Sequence, residues 1–333
     1  MMSSSLLLAG AWFAATNAVL HPYEAVEPHM GTLFRIKLYA ANQADAQHAF
    51  AAAFARVGKL DRTLSDYKPD SELNRLSQLA VRNPIHVSDD LFRVLAASQQ
   101  LSEKTGGAFD ITVGPLTHLW REARKKGRVP SSAEIKQTQV KCGYRKLRID
   151  PVAQSVEFAE EGMQLDAGAI AKGDAADQAL LTIGRCGIRS ALVAASGDLA
   201  FSDAPPGEAG WKIGVDSLDS AQARFPKTLV LSNAAVSTSG STEQHLDAGG
   251  VRYSHIIDPQ SGLGITRDIT VSVIAPKGIE ADSLATAVSV LGAERGLSFI
   301  EQQPGASAVI LVNESSRPKL LESARFQTLR TLP

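Results

Sequence analysis

The sequence predicts an α+β protein, with mixed or antiparallel sheets and helices packed against them. Three observations carry this. Many strand-like segments follow one another as meanders interrupted by helices. The regular strand–helix alternation of a doubly wound sheet is absent. No Pro/Ser-rich linker, short repeat or low-complexity segment divides the chain. Residues 26–320 therefore read as one domain, preceded by an export signal or flexible arm over 1–25 and followed by a C-terminal tail over 321–333.

At the N-terminus, Leu6 to Leu20 (LLLAGAWFAATNAVL) is apolar and rich in small residues, with a cleavage-like site after Ala18. It lacks the basic start of a signal peptide, and the first Lys or Arg is Arg35. Leu33 to Ala40 alternates as a half-buried strand, and an alanine-rich helix runs from Gln43 to about Leu60. Pro69, Asp70 and Ser71 form a turn, with Ser71 capping a short helix. Tyr67 stands just before that turn, where its ring either faces a ligand or covers the core edge. Ser88 caps a periodic helix stopped by Gly106 and Gly107, after which comes AFDITVGPL, Ala108 to Leu116. Asp110 in this loop is either a binding residue or a local cap. The run REARKKGR, Arg121 to Arg128, reads as a solvated helix end. Ser131 and Glu134 form a capping box. Strands follow at Lys146 to Asp150 and Ser155 to Ala159.

Leu165 to Asp177, LDAGAIAKGDAAD, reads as a strand end, a tight small-residue turn and a lysine opening a helix. Small residues let backbone approach a ligand, and Asp166, Lys172 and Asp177 add charge. Close packing would favour the same residues. Arg189 to Ala195 is a strand ending in Ser196-Gly197-Asp198. Further strands are expected at Trp211 to Asp216 and Leu229 to Val236, the latter running into a hydroxyl-rich turn, Ser237 to Thr242. His255 lies at the end of the strand in VRYSHIIDP, before a Ser261-Gly262 turn. Ile269 to Ala275 is a buried strand, Glu280 to Leu291 and Glu294 to Gln302 are helices, and Ser307 to Val312 is the last strand expected.

Composition excludes some functions. A net charge of -1 over 333 residues argues against a nucleic-acid binder, which would show a basic face. Two cysteines make no disulfide framework, and the seven histidines show no HExxH spacing. Neither GxGxxG nor GxxxxGK[ST] is present; in AIAKG the lysine precedes its glycine. SDYK (Ser65 to Lys68) and KTG (Lys104 to Gly106) mimic a serine acyl-enzyme pair, but the KTG ends a helix and no SDN lies between them. In ADSLAT, Asp282 and Thr286 stand four apart on one helical face. A carboxylate and a hydroxyl suit a hard cation such as Mg²⁺, although an Asp near a helix start also serves as a cap or dipole partner.

Taken together, these motifs resemble the ApbE family of FAD:protein FMN transferases. The resemblance runs from Met30 to about Gln302 through MGT (Met30 to Thr32), SDYKPDSEL, GGAFDITVGPL, LDAGAIAKGDAAD, SGD, STSG, HIIDPQSG and ADSLATA. The family usually has GGD where this chain has Ser196-Gly197-Asp198, and a glycine where Ala169 stands; both differences read as small-for-small changes. The resemblance implies a T-fold-like core that binds FAD and Mg²⁺. It implies transfer of FMN from FAD to a Thr or Ser hydroxyl of an acceptor protein, with release of AMP. By motif, Met30, Tyr67, Ala108, Phe109, Asp110, Asp166, Lys172, His255 and Ile256 would contact FAD. The metal would take the Ala169 carbonyl and the side chains of Asp282 and Thr286. Lys172 and the metal would neutralise the pyrophosphate, with His255 as base and Asp258, a turn residue before Pro259, as the other candidate. Acceptors of the family, subunits of membrane redox pumps and exported flavin-bearing reductases, imply a periplasmic or membrane-associated location. Water as acceptor would make the protein an FAD pyrophosphatase, and no turnover at all a flavin carrier.

Overall fold

A two-residue turn fixes the first hairpin. Met30 (φ 49°) and Gly31 (φ 72°) both take left-handed conformations, the geometry that matches the twist of the flanking strands. They join β1 (His21–His29) to β2 (Thr32–Ala40). The computed structural model describes residues 19–216, 226–241, 244–314 and 317–332.

The chain continues through α1 (Gln43–Leu64), α2 (Glu72–Leu79), β3 (Ile85–His86), α3 (Asp89–Thr105), α4 (Gly114–Lys126) and α5 (Ser132–Gln139). Next come β4 (Leu147–Asp150), β5 (Ser155–Phe158), α6 (Ala171–Arg185), β6 (Ala191–Ala195) and β7 (Asp198–Phe201). β8 (Trp211–Asp216), β9 (Pro226–Leu231), β10 (Ala234–Gly240), β11 (His245–Ala248), β12 (Val251–Ser254) and β13 (Ile269–Ala275) follow. The last elements are α7 (Gly278–Leu291), α8 (Ala293–Glu301), β14 (Ser307–Glu314), β15 (Arg317–Glu322), α9 (Ala324–Gln327) and β16 (Thr331–Leu332).

The main sheet runs β1-β2-β6-β7-β10-β13-β14-β15, antiparallel at every pair. Helices α1, α6, α7 and α8 lie side by side on one face, in the order of the strands beneath them. Strand alternation separates two cores. Val271 and Val273 of β13 and Ala308 and Ile310 of β14 point into the helical layer. Ile274 and Val309 point the other way, where Phe201, Trp211, Leu229 and Phe326 pack beneath the small sheet β16-β9-β8. A third apolar cluster, with Trp120 at its centre, joins α4 to the β11–β12 hairpin, and Trp120 Nε1 donates to the Gly262 carbonyl at 2.8 Å.

The helix caps follow the sequence. Ser71, Ser88 and Ser131 each accept from the third backbone N–H beyond, and Ser131 with Glu134 completes a capping box. Several expectations are corrected. The single strand expected over Leu229 to Val236 is two strands in different sheets, β9 and β10, parted by a turn in which Asn233 has φ 50°. The turn holds no Gly or Pro, and only Ser232 and Asn233 interrupt the apolar run. Ser237 to Gly240 is not a turn but the second half of β10, where hydroxyls pair across to β7 and β13; Thr242 lies outside the described residues. Residues 21–25 of the expected arm belong to β1, and the expected tail carries the end of β15, α9 and β16, so Ser307 to Val312 does not hold the last strand. The signal-like stretch lies outside the described residues up to Ala18. No helix among the described residues is long and apolar enough to cross a membrane.

Candidate active site

A cleft of about 450 Å³ opens where the main sheet, α4, α6 and α7 meet. The twelve residues that the resemblance assigns to FAD or to the metal all line it: Met30, Tyr67, Ala108, Phe109, Asp110, Asp166, Ala169, Lys172, His255, Ile256, Asp282 and Thr286; Asp258, the other base candidate, does not. Their placement follows from local structure. Met30 sits at the tip of the first hairpin, and Ala108 to Asp110 follow the left-handed Gly106 that ends α3. His255 and Ile256 directly follow β12, and Asp282 and Thr286 share a face of α7.

The centre of the cleft is an ionic cluster. Lys172 Nζ lies 2.9 Å from Asp198 Oδ2, 3.7 Å from Asp282 Oδ2 and 3.3 Å from the Gly168 carbonyl. Asp282 Oδ2 also accepts the Gly173 N–H at 3.0 Å. Burial first, and then the Asp198 charge, push the Asp282 carboxyl above the usual carboxylate range, with Lys172 acting against them. Burial disfavours the Lys172 ammonium, but Asp282 and Asp198 outweigh it and hold its pKa above the ordinary value.

The start of α6 fits a hard cation. The Gly173 N–H, which would close the helical turn onto Ala169, bonds to Asp282 instead. The Ala169 carbonyl thus accepts no hydrogen bond among the described residues, nor does the Thr286 hydroxyl make one. An unpaired carbonyl, a buried carboxylate and a hydroxyl form an oxygen donor set suited to Mg²⁺, which keeps few protein ligands. Among the described residues no group of three or more His, Cys, Asp or Glu side chains converges as a softer metal would require.

A second polar group lies at the mouth. Arg121 bonds to Asp66 and, at 3.2 Å, to Asp166, and its guanidinium lies 4.2 Å above the ring of Tyr67, which is 74% exposed. Burial and then Asp166 raise the Asp66 carboxyl against the pull of Arg121. Arg124, one turn on, also lines the cleft and has no carboxylate within salt-bridge reach among the described residues. The basic run is therefore only partly a solvated helix end. Spacing of three aims Arg121 and Arg124 into the cleft, while Glu122, Lys125 and Lys126 are exposed. That spacing was the available signal. Asp198 and Ser237 were legible only as parts of motifs.

Three acidic residues serve the fold. The Asp110 carboxylate is turned inward, accepting from Thr112 N and Oγ1 and from Tyr144 N, so burial's upward push on its pKa is opposed by three hydrogen bonds. Asp177 lies outside the cleft and caps α7, accepting from Gly278 N and Ile279 N. Asp258 closes its turn through Gln260 N and Ser261 Oγ. His255 Nδ1 lies 3.2 Å from the Gln244 carbonyl.

Known proteins resemble this chain in sequence and share its fold. The ApbE family model matches residues 30–311. A Treponema pallidum protein named FAD:protein FMN transferase is 30% identical over 320 residues, 92% of this chain and 88% of its own. One from Vibrio cholerae with the same name is 31% identical over 305 residues, covering 90% and 89%. The crystal structure of the Pseudomonas stutzeri flavinyl transferase ApbE in its apo form superimposes with a TM-score of 0.81 at 31% identity, covering 93% of this chain and 97% of that one. The Vibrio cholerae flavin transferase ApbE gives 0.85 at 28% identity, covering 94% and 100%. On sequence and on structure alike, the chain belongs to the ApbE family.

Proposed function

We propose that this protein is a Mg²⁺-dependent FAD:protein FMN transferase that moves FMN from FAD to a Thr or Ser hydroxyl of an exported or membrane-bound acceptor protein. The observation that carries this reading is the assembly in one cleft of a lysine, an oxygen donor set and an aromatic rim. The names borne by the relatives support the same chemistry.

In this reading Lys172 holds the pyrophosphate, and Asp282, Thr286 and the Ala169 carbonyl hold Mg²⁺. Bound there, the ion would supply positive charge against the negative charge that builds up on the phosphate oxygens in phosphoryl transfer. The acceptor hydroxyl oxygen bonds to the FMN-side phosphorus, the bond from that phosphorus to the bridging oxygen breaks, and AMP leaves with that oxygen. His255, at the end of β12, takes the hydroxyl proton. Tyr67, backed by Arg121, offers a flat face at the rim for a ring of the ligand.

Incubation with FAD, Mg²⁺ and candidate acceptors from the same genome, followed by in-gel flavin fluorescence, tests the reading. The expected result is covalent fluorescence on an acceptor with one AMP released per flavin, lost on Mg²⁺ chelation. Free FMN with no labelled acceptor would overturn it in favour of a pyrophosphatase.

A further inference from the structure

The ionic cluster carries a charge imbalance. Asp198 and Asp282 are each 4% exposed, and one ammonium, that of Lys172, faces both. Two buried carboxylates against one lysine leave a deficit of one positive charge, which is costly in a dry site. Lys172 does not divide itself evenly, standing 2.9 Å from Asp198 and 3.7 Å from Asp282.

What makes Asp198 the nearer partner is the sheet. Asp198 opens β7 and is the register partner of Ser237 on β10. Ser237 Oγ donates to Asp198 Oδ1 at 2.5 Å, leaving Oδ2 for Lys172. The preceding Gly197 lies so close to β10 that a Cβ there would come within 2.8 Å of the Thr238 carbonyl. The carboxylate is thus fixed by two paired strands, and it belongs to neither α6 nor α7.

We propose that Asp198 is a positioning residue that draws the Lys172 ammonium to one side, keeping Asp282 open for a divalent cation in the ligand-free protein. Without that pull, Lys172 would settle on Asp282 and compete with the cation for the same oxygens. With it, the lysine and the cation flank the cleft together and the charge deficit is filled. This inference rests on the cation seat of the proposed transferase.

Calorimetric titration of Mg²⁺ into the whole protein without FAD tests it. Asp198→Asn is expected to weaken Mg²⁺ binding about tenfold and Lys172→Met to tighten it by a similar factor. In the Lys172→Met background, Asp198→Asn should change binding by about twofold or less, because there is no ammonium left to position. Ser237→Ala, a milder change, should shift binding in the direction of Asp198→Asn. Unchanged binding in Asp198→Asn and Ser237→Ala would overturn the inference. So would a tenfold effect persisting without Lys172, which would make Asp198 act on the cation directly. No Mg²⁺ binding by the unaltered protein would instead remove the cation seat itself, a result distinguishable from both.

Discussion

Ser196 shows how a residue that looks conservative in sequence acts in the fold. It stands where the family resemblance leads one to expect glycine, and it adopts φ 56° at the turn between β6 and β7. The left-handed region costs an L-residue roughly 1–2 kcal/mol, which glycine avoids. The exchange is thus not merely small for small: side-chain size is tolerated there, but backbone conformation is not neutral. Ser196 is exposed, so nothing packed is lost on removing its side chain. Ser196→Gly should raise stability by about 0.5–1 kcal/mol after the greater freedom of glycine in the unfolded chain is discounted, measured as a later urea midpoint with unchanged slope. Gly197→Ala should do the opposite, costing about 1–3 kcal/mol, because its new methyl meets the Thr238 carbonyl of a paired strand. The two neighbours therefore separate the two uses of glycine, conformation and close approach.

At the scale of elements, α6 is tied to α1 and α3 by ion pairs and hydrogen bonds as well as by apolar packing. Arg56 of α1 donates both terminal nitrogens to Asp90 of α3 at 2.6 Å and reaches Gln178 of α6 at 2.7 Å. Arg93 of α3 pairs with Asp174 of α6 at 2.8 Å through two bonds and with Asp90 at 3.0 Å. The Arg56 hydrogen bonds, then those of Arg93 and Lys59, hold the Asp90 carboxyl far below its ordinary range against burial. A depressed native pKa means that this contribution is fully present above the unfolded value of about 4 and is lost progressively as pH falls from there toward the lower native pKa. Asp90→Asn should cost about 3 kcal/mol at neutral pH, since it leaves cations partly buried without their partner, and its stability should fall less steeply than that of the unaltered protein below pH 4. Equal slopes for the two in acid denaturation would show that Asp90 is not a source of the acid loss. These pairs were not legible in the sequence, but the helices they join largely were. The caps at Ser71, Ser88 and Ser131 and the buried run Ile269 to Ala275 are local signals, decided within one turn or one strand. The split of Leu229 to Val236 was not legible, because only pairing with distant strands shows that its halves belong to different sheets.

The whole molecule brings together what the chain keeps apart. Residues from Met30 to Thr286 meet in one cleft because the sheet order places β6, β7, β10 and β13 side by side and lays α6 and α7 across them. Short motifs found most of this site because many lie at element ends, where small or polar residues are conspicuous, and because Asp282 and Thr286 stand four apart on one face of α7. They did not find Arg121 and Arg124, whose exposed neighbours disguised a face of α4 as solvated surface, or the part played by Asp198, which exists only across strands. The same non-local assembly makes ligand binding a property of the entire fold. A ligand held at 100 times its dissociation constant stabilises the native state by about 2.7 kcal/mol, which for a chain of this size is an increase in Tm of roughly 4–6 °C. FAD with Mg²⁺ and no acceptor should give that increase, and Lys172→Ala should abolish most of it. Hydrogen exchange should slow together at the β1–β2 turn, the loop after α3, the start of α6, the turn after β12 and the second turn of α7. Protection confined to one of these segments, with no rise in Tm, would show that FAD does not span the cleft and that the assembled residues do not act on one ligand.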